Sequence, residues 1–476
     1  MAAAEGLTDQ FCVLAGAVFA PAVLGAGVVT AVAGPLRLGR RELAAFAYLT
    51  GQLLLAPFTF AWLAAGKPVP GALLPLVAFA VGTGLLLWQR RRHGGLSERS
   101  GTDPVAAIVA AIGVAAIVLL CLRANLTPIV GGDEALIWSS KARVLFAAPD
   151  FGIGLGLAYH VGHPAYPLLN PLVQALAFVS AGDLLSFASR IPIQAFAAAL
   201  VLLLSTMLGV AGRVAGAALL LATVTVGSFV TESPTACADV MLAFAMLAAC
   251  HAYLRYRTTG AAGWWRLCCV ALAATVATKN EGAMLVLVLV LAHLLAALMT
   301  RLRGGDRDDS RLPLRNLPWL VVPIATLALG QWFNHRHGLT TDLVDPALGQ
   351  GMGLLERCLH FLPERAVPVA SFYLDALLAV DSRWLVLLAL PAAAVLVLFR
   401  PRPALVLAIA LPGWLLAYML VFVGTSNPLP WHLATAAHRT ILHVTPVAAV
   451  VLAHAIAALG NPYPVRTATP ATGLAV

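Results

Sequence analysis

The sequence has 476 residues, of which 61% are hydrophobic and 11% are charged, and its formal net charge is +9. The mean hydropathy of +0.89 and the recurring apolar runs exclude a water-soluble globular protein. The arginines lie in short clusters between the apolar runs, which is typical of anchoring at an anionic membrane surface and argues against a nucleic-acid partner.

The apolar runs predict an all-α polytopic membrane protein, because a backbone in lipid must satisfy its amides within its own segment. Hydropathy gives about 13 transmembrane helices by the criterion of roughly twenty apolar residues. No basic region precedes the first run, so we expect no cleavable signal peptide. The predicted spans are 11–34, 43–65, 69–88, 105–122, 190–209, 214–231, 238–254, 266–279, 283–299, 317–334, 383–399, 404–424 and 441–459.

The loops predict the orientation, because cytoplasmic loops of membrane proteins are enriched in Lys and Arg. Thirteen spans with the Arg-rich loops inside give an outer N-terminus and a cytoplasmic C-terminus, and the composition suggests a bacterial inner membrane. The Arg-rich loops are 37–41, 89–95, 255–257, 301–315 and 400–402. The outer segments are then 123–189, 231–237, 335–382 and 425–440, with a short turn at 279–282.

The segment 167–182, PLLNPLVQALAFVSAG, is apolar but short and contains two prolines. Counted as a span, it would place three Arg-rich loops outside, so we interpret it as an interfacial or re-entrant helix. The first outer loop is therefore predicted to carry two helices, at about 134–147 and 168–180.

Acidic and basic residues from distant parts of the sequence share the predicted outer face, at the ends of helices. Ionisable groups at a membrane are costly and commonly functional. The acidic and basic residues of the predicted outer face are Asp133, Glu134, Lys141, Arg143, His160, His163, Glu232, Asp239, Lys279, Glu281, His432, His438 and Arg439.

The stretch GGDEALIWSSKARVLF (131–146) opens the first loop. A helix here would place Glu134, Trp138 and Lys141 on one face, at positions i, i+4 and i+7. This arrangement gives an acid, an aromatic platform and a cation facing one site, with Asp133 at the mouth of the helix. The alternative is a helix cap at Asp133 together with a surface ion pair.

The other outer residues also have structural alternatives. Lys279 in the turn TKNEG could extend its ammonium group to the membrane interface, and Asp239 could cap a helix. Arg439 could be an interfacial anchor. The segment HPAYP (163–167) is predicted to be extended, because proline keeps the preceding residue out of the α region, and His163 could be only an interfacial polar residue.

These residues together resemble the GT-C superfamily of polyprenyl-phosphate-sugar-dependent glycosyltransferases, especially the protein mannosyltransferase and aminoarabinose transferase branch. The stretches DEALIWSSKARVLF, YPLLNPL, ADVMLAF, KNEG and HLATAAHR carry the resemblance, in that order. It covers about 105–460, so 1–104 is interpreted as an N-terminal three-helix addition and 461–476 as a short cytoplasmic tail. No DxD motif occurs in the first outer loop, and no C-terminal extramembrane domain follows the last predicted span.

The resemblance implies an inverting transfer of a sugar from a polyprenyl-phosphate donor to an acceptor hydroxyl on the extracytoplasmic face. It implies two catalytic carboxylates: Asp133 as the base that takes the acceptor proton, and Glu134 orienting hydroxyl groups. The donor phosphate would be bound by Lys141, Lys279 and Arg439. The remaining predicted substrate contacts are Trp138, stacking on a sugar, with His163, Asp239, Glu281 and His432.

The implied partners are a polyprenyl-phosphate-linked sugar and a glycan, lipid or protein acceptor of the cell envelope. The seven cysteines show no metal-ligand spacing and include buried apolar positions. We therefore expect no cofactor and no metal ligands, with a divalent metal left open.

A secondary transporter is the rival interpretation, in which the same acids and lysine form a proton or substrate relay. Transporters commonly show internal repeats and charges near the middle of the membrane, whereas these charges lie at predicted helix ends. A polysaccharide polymerase or ligase with another fold is a second alternative.

Overall fold

The computed structural model describes residues 2–66, 71–93, 104–129, 132–147, 153–184, 188–303, 314–341, 351–379, 384–399 and 404–460. These residues are predominantly helical, so the predicted all-α membrane fold is confirmed. The predicted tail at 461–476 lies outside the described residues.

The described chain folds into α-helices with short π- and 3₁₀-helical segments between some of them. The α-helices are α1 (Ala2–Val13), α2 (Ala20–Ala33), α3 (Arg40–Ala64), α4 (Leu73–His93), α5 (Pro104–Ala124), α6 (Ser140–Ala147), α7 (Ile153–His160), α8 (Leu169–Ala181), α9 (Ile191–Met207), α10 (Arg213–Val224), α11 (Gly227–Glu232), α12 (Asp239–Thr259), α13 (Ala262–Thr278), α14 (Asn280–Leu302), α15 (Val321–Arg336), α16 (Leu354–Leu378), α17 (Trp384–Phe399), α18 (Leu405–Val423) and α19 (Leu429–Gly460). Segments Leu14–Phe19 and Glu134–Ser139 are π-helical and lead directly into α2 and α6.

Every predicted span coincides with helix in the described chain. Five of the predicted spans fall on helices that are short or more polar. Four of these helices are α10, α13, α15 and α17, which have 12 to 17 residues, and the fifth is α12, which is long enough but more polar. Eight stretches of the described residues are long and apolar enough to cross a membrane: Thr8–Ala33, Arg40–Ala64, Leu73–Arg92, Pro104–Ala124, Ile191–Ala211, Asn280–Leu302, Leu405–Val423 and Leu429–Gly460.

The charged groups of the described residues separate between the two ends of the helix bundle. Helix α12 begins at Asp239 and has Arg257 in its last turn, which places these residues about 27 Å apart at 1.5 Å per residue. At the basic end, Arg41 donates a hydrogen bond to Ser205 Oγ at 2.8 Å, and Arg255 lies 4.0 Å from Glu42. Described parts of the predicted cytoplasmic loops thus lie together. Which end faces the cytoplasm stays a prediction.

Helices α2 and α3 contribute to the main hydrophobic core of the described chain, and the buried residues of α1 and α4 pack in a smaller cluster that includes α8. Gly25 and Gly51 bring α2 and α3 so close that a Cβ on either glycine would lie 1.8 Å from a backbone oxygen of the other helix. Tyr48 of α3 donates a hydrogen bond to Pro192 O of α9, and Gln52 donates to Ala17 O at 2.7 Å. The predicted boundary at residue 104 is therefore crossed by buried contacts, and its functional meaning stays a prediction.

The first outer loop contains α6, α7 and α8, of which α7 was not predicted. Every residue of α8 from Leu169 to Val179 is buried, and α1, α3, α6 and α9 pack around it. Asn170 and Gln174 donate hydrogen bonds to Ala236 O at 3.1 and 3.3 Å. Protein therefore encloses α8 on all sides, and its predicted interfacial or re-entrant placement in the membrane stays a prediction.

Candidate active site

Asp239 lies at the centre of the candidate site, at the first residue of α12. Its carboxylate is fully buried and makes no hydrogen bond that caps the helix. Its Oδ1 atom accepts a hydrogen bond from Lys279 Nζ at 3.0 Å and lies 2.9 Å from His443 Nε2. The cap alternative is therefore wrong for Asp239, whose side chain connects the start of α12 with the α13–α14 turn and with α19.

Lys279 occupies the turn between α13 and α14, where its extended backbone ends one helix and starts the next. Its ammonium group lies 3.0 Å from Asp239 and 3.1 Å from Glu281, and its side chain is 7% exposed. Burial opposes the charge, but the two carboxylates raise the pKa of Lys279 above its ordinary value, so the group is a cation. It does not extend to the membrane interface as the alternative required.

Gly282 holds this turn against its neighbour. A Cβ at Gly282 would lie 2.0 Å from Thr275 O, so α13 and α14 can approach this closely only with glycine here. We expect Gly282→Ala to force the helices apart and lower the free energy of unfolding by about 1–3 kcal/mol. The measurement is unfolding in mixed micelles. Gly84→Ala in α4 is the control, because its Cβ would meet no atom within 4 Å. Equal stability of the two variants would contradict the close packing.

Asp133 and Arg439 form an ion pair between two segments that are 306 residues apart. Asp133 makes no capping hydrogen bond at the start of its helix. Its carboxylate is 40% exposed, whereas Arg439 is 15% exposed, so the pair forms at the edge of the buried region. Arg439 Nη1 also lies 4.0 Å from Asp239 Oδ2. This guanidinium therefore joins the outer carboxylate to the buried one.

Further acidic and imidazole groups complete the cluster. Glu232, at the end of α11, lies 3.7 Å from His438 Nε2. His443 is fully buried, and its Nδ1 atom lies 2.6 Å from the hydroxyl of Tyr418. We call the following set the polar cluster: Asp133, Glu232, Asp239, Lys279, Glu281, His438, Arg439 and His443.

Glu134 has a different environment from the one predicted. Both of its carboxylate oxygens bind the Arg190 guanidinium, at 2.6 and 2.9 Å, and Oε1 also accepts a hydrogen bond from Ala236 N at 2.6 Å. Arg190 in turn donates to the carbonyl oxygens of Ala124 and Thr127. The pair fastens the first outer loop to the ends of α5 and α9, and it occupies the oxygens that orienting a hydroxyl would require.

Lys141 is fully buried and binds backbone carbonyls within its own loop. Its ammonium group donates to the carbonyl oxygens of His163, Pro164 and Tyr166 at 3.1, 3.2 and 3.0 Å. Burial lowers the pKa of Lys141 to about 7. With three donors on three carbonyls, the group has no donor left for a phosphate. Its predicted role in phosphate binding does not agree with these contacts.

The HPAYP segment is a turn, so its predicted extended conformation is wrong. His163 has a φ of +51°, and Tyr166 N donates to His163 O at 3.1 Å. A left-handed residue other than glycine costs roughly 1–2 kcal/mol and persists only where its surroundings enforce it. Here the Lys141 ammonium group draws three carbonyl oxygens of the segment to one point.

Trp138 and His163 both stack on Tyr166, with ring centroids 5.5 and 5.0 Å away. Trp138 is only 1% exposed. Its predicted role as a platform for a sugar therefore fails, because the indole is buried inside the loop. His163 is half-buried beside the polar cluster, since the Tyr166 ring also lies 6.0 Å from Lys279 Nζ.

His432 lies near the start of α19, on the same helix as Arg439 but about two turns earlier. Its Nδ1 atom lies 2.7 Å from the Thr425 hydroxyl, and its ring packs against Phe422. None of its described contacts reaches the polar cluster. The side chain of His160 lies outside the described part of the chain.

The sequence interpretation missed Arg190, His443 and Tyr418. One signal was available for His443, because it follows Arg439 by four residues and so shares its helix face. Among the described residues, Glu232, Cys237 and Asp239 could hold a metal ion, since their ligand atoms lie within 4.8 Å of one another.

Comparison with protein-family models matches residues 177–332, about one third of the chain, to the family described as dolichyl-phosphate-mannose-protein mannosyltransferase. The matched segment contains Glu232, Asp239 and Lys279, whereas Asp133 and Arg439 lie outside it. No curated protein and no solved structure matched the chain. The family match confirms the resemblance of this multi-pass membrane protein to the GT-C superfamily of membrane glycosyltransferases.

Proposed function

We propose that the protein transfers a sugar from a polyprenyl-phosphate donor to an acceptor hydroxyl on the extracytoplasmic face, with inversion at the sugar. The observation that carries the proposal is the contact of Asp133, Asp239, Lys279 and Arg439 in one cluster. These residues come from four separate parts of the sequence. Asp133, Asp239 and Lys279 lie at the starts of helices, and Arg439 lies within α19. The family match supports a polyprenyl-phosphate sugar as the donor.

The leaving group of this reaction is a lipid phosphate, whose negative charge increases as the glycosidic bond breaks. Cations held in a water-poor site stabilise that charge without reorganising. Arg439 is the better placed of the two cluster cations, because its planar guanidinium binds phosphate through two donors and lies at the exposed edge of the cluster. Lys279 lies deeper, and its positive charge contributes at longer range.

The attacking acceptor hydroxyl must lose its proton as the new bond forms, and a positioned carboxylate is the usual base. Asp133 fits this role, because its side chain is 40% exposed and therefore accessible to an acceptor. Arg439 fixes the position of the carboxylate by binding Oδ2. Asp239 has no such access, since it is fully buried, and we assign it to holding Lys279, His443 and Arg439 in place.

We assign a supporting role to three predicted site residues because of the contacts that they make in the first loop. Glu134, Trp138 and Lys141 bind Arg190, Tyr166 and backbone carbonyls, respectively, rather than facing open space. They hold the loop that carries Asp133. The transporter interpretation is less favoured, because Lys279 and the carboxylates of the polar cluster lie at or next to helix ends instead of within broken helices.

The discriminating experiment supplies the purified protein with a polyprenyl-phosphate-linked mannose that carries a labelled sugar, together with cell-envelope extract as acceptor. Transfer predicts free polyprenyl phosphate and label in the acceptor fraction. The same donor with other hexoses or pentoses defines the sugar. In proteoliposomes, a transporter would move the intact donor without releasing free lipid phosphate, and that result would contradict the proposal.

A further inference from the structure

The segment between α11 and α12 gathers two carboxylates and a thiol at the inner edge of the polar cluster. The ligand atoms of Glu232, Cys237 and Asp239 lie within 4.8 Å of one another. Metal–ligand bonds of about 2.0–2.3 Å would draw them only slightly closer. All three side chains come from the eight consecutive residues ESPTACAD (232–239). Small adjustments of the backbone would therefore bring their ligand atoms around one metal ion.

Two oxygen atoms of this group are buried without a hydrogen-bond partner. They are Oε2 of Glu232 and Oδ2 of Asp239. A buried carboxylate oxygen without a donor is destabilising, because it has lost its hydrogen bonds to water and gained none from the protein. The side chain of Asp239 is fully buried, and its other oxygen already binds Lys279 and His443. The unpartnered atoms therefore belong to the same small region as the Cys237 thiol.

The net negative charge of the polar cluster favours the binding of a further cation. Four carboxylates, those of Asp133, Glu232, Asp239 and Glu281, face two permanent cations, Lys279 and Arg439. With His438 and His443 neutral, the formal charge is −2. An excess of buried negative charge repels an anionic lipid-phosphate donor, and a divalent cation would neutralise it.

We propose that Glu232, Cys237 and Asp239 bind a Zn²⁺ ion. A thiolate with two carboxylates favours zinc over magnesium or calcium, which prefer oxygen ligands alone. Three protein ligands leave a fourth position for water or for an oxygen of the donor. The hydrogen bonds of Asp239 Oδ1 to Lys279 and His443 orient the carboxylate from behind, as outer partners of metal ligands commonly do. The charge argument rests on the proposed function, whereas the geometry does not.

Zinc binding requires the Cys237 thiol to release its proton to solvent as the sulfur–zinc bond forms. The proton and the zinc ion compete for the sulfur, because only the thiolate is a metal ligand.

The test uses the full chain purified in detergent without metal-affinity resin. Elemental analysis should find about one equivalent of zinc per chain. After chelation, added Co²⁺ should give the near-ultraviolet charge-transfer band of a cobalt–thiolate bond. Cys237→Ser should abolish the band, and Glu232→Gln should weaken Co²⁺ binding at least about tenfold. Cys250→Ser is the control, because Cys250 is buried within α12, about three turns beyond Asp239.

Absence of zinc, together with absence of the band at saturating Co²⁺, would overturn the proposal. So would an unchanged band in Cys237→Ser. If a variant fails to fold, the wild-type measurement still decides between the outcomes. None of these readouts is glycosyl transfer, so a failed zinc site leaves the proposed function standing, and a failed function leaves the zinc result intact.

Discussion

Replacing Asp133 by Asn should reduce sugar transfer by about 10²- to 10⁴-fold while leaving the protein folded and able to bind its lipid donor. An amide has nearly the same shape as the carboxylate but cannot take a proton from the acceptor. The substitution does not leave Arg439 without a counter-charge, because its Nη1 atom also lies 4.0 Å from Asp239 Oδ2. The measurement is the initial rate of polyprenyl phosphate release, with donor binding measured separately.

Asp183→Asn is the matched control, because Asp183 is an exposed carboxylate in the same outer loop. It should retain the wild-type rate. If Asp133→Asn also turned over at a near-wild-type rate, Asp133 would be excluded as the base. A loss confined to donor binding would instead assign Asp133 to positioning Arg439.

Replacing Lys279 by Met should lower the free energy of unfolding by about 3–5 kcal/mol and abolish transfer. The reason is that Asp239 and Glu281 are both buried against this ammonium group, at 3.0 and 3.1 Å. Removing it leaves carboxylates without their main counter-charge in a region that water does not reach. Unfolding in mixed micelles measures the stability, and polyprenyl phosphate release measures the transfer.

A double-mutant cycle separates this charge effect from lost packing. The variant Lys279→Met/Asp239→Asn should be more stable than the sum of the two single losses predicts, by about 0.5–3 kcal/mol. Arg336→Met, at an exposed position at the end of α15, should change stability by no more than about 0.5 kcal/mol. Strict additivity in the cycle would show that Lys279 and Asp239 do not interact energetically.

The placement of the apolar helices could be predicted because membrane helices are specified by the length and polarity of local sequence. The number of spans stays a prediction, since eight stretches of the described chain are long and apolar enough to cross a membrane, and α7 and α16 were not predicted as helices. Every predicted span lies on a helix, and the pairing of Asp133 with Arg439 and of Asp239 with Lys279 joins residues that were expected to share a face. The predicted sidedness of the loops was enough to place these residues at one end of the bundle.

The partners of individual side chains could not be predicted in the same way. Glu134 and Lys141 share a helix with Trp138, but their contacts depend on α8, α9 and the turn at 163–166, which pack against that helix in three dimensions. Arg190 lies between two apolar segments and was indistinguishable in the sequence from an interfacial anchor. Helical periodicity predicts the face of the helix on which a residue lies, whereas its contacts depend on how the helices pack together.

The enclosure of α8 has a consequence for how the protein is made. Helices α1 and α3 leave the ribosome long before α8 and α9, yet α8 packs against α1, α3 and α9 in the folded chain. The early helices therefore enter the bilayer before the partner of the Tyr48 hydroxyl, the carbonyl oxygen of Pro192, has been synthesised. The first loop can therefore close only late in biogenesis. A ribosome-bound chain that ends before residue 190 still lacks Arg190, the residue that binds Glu134.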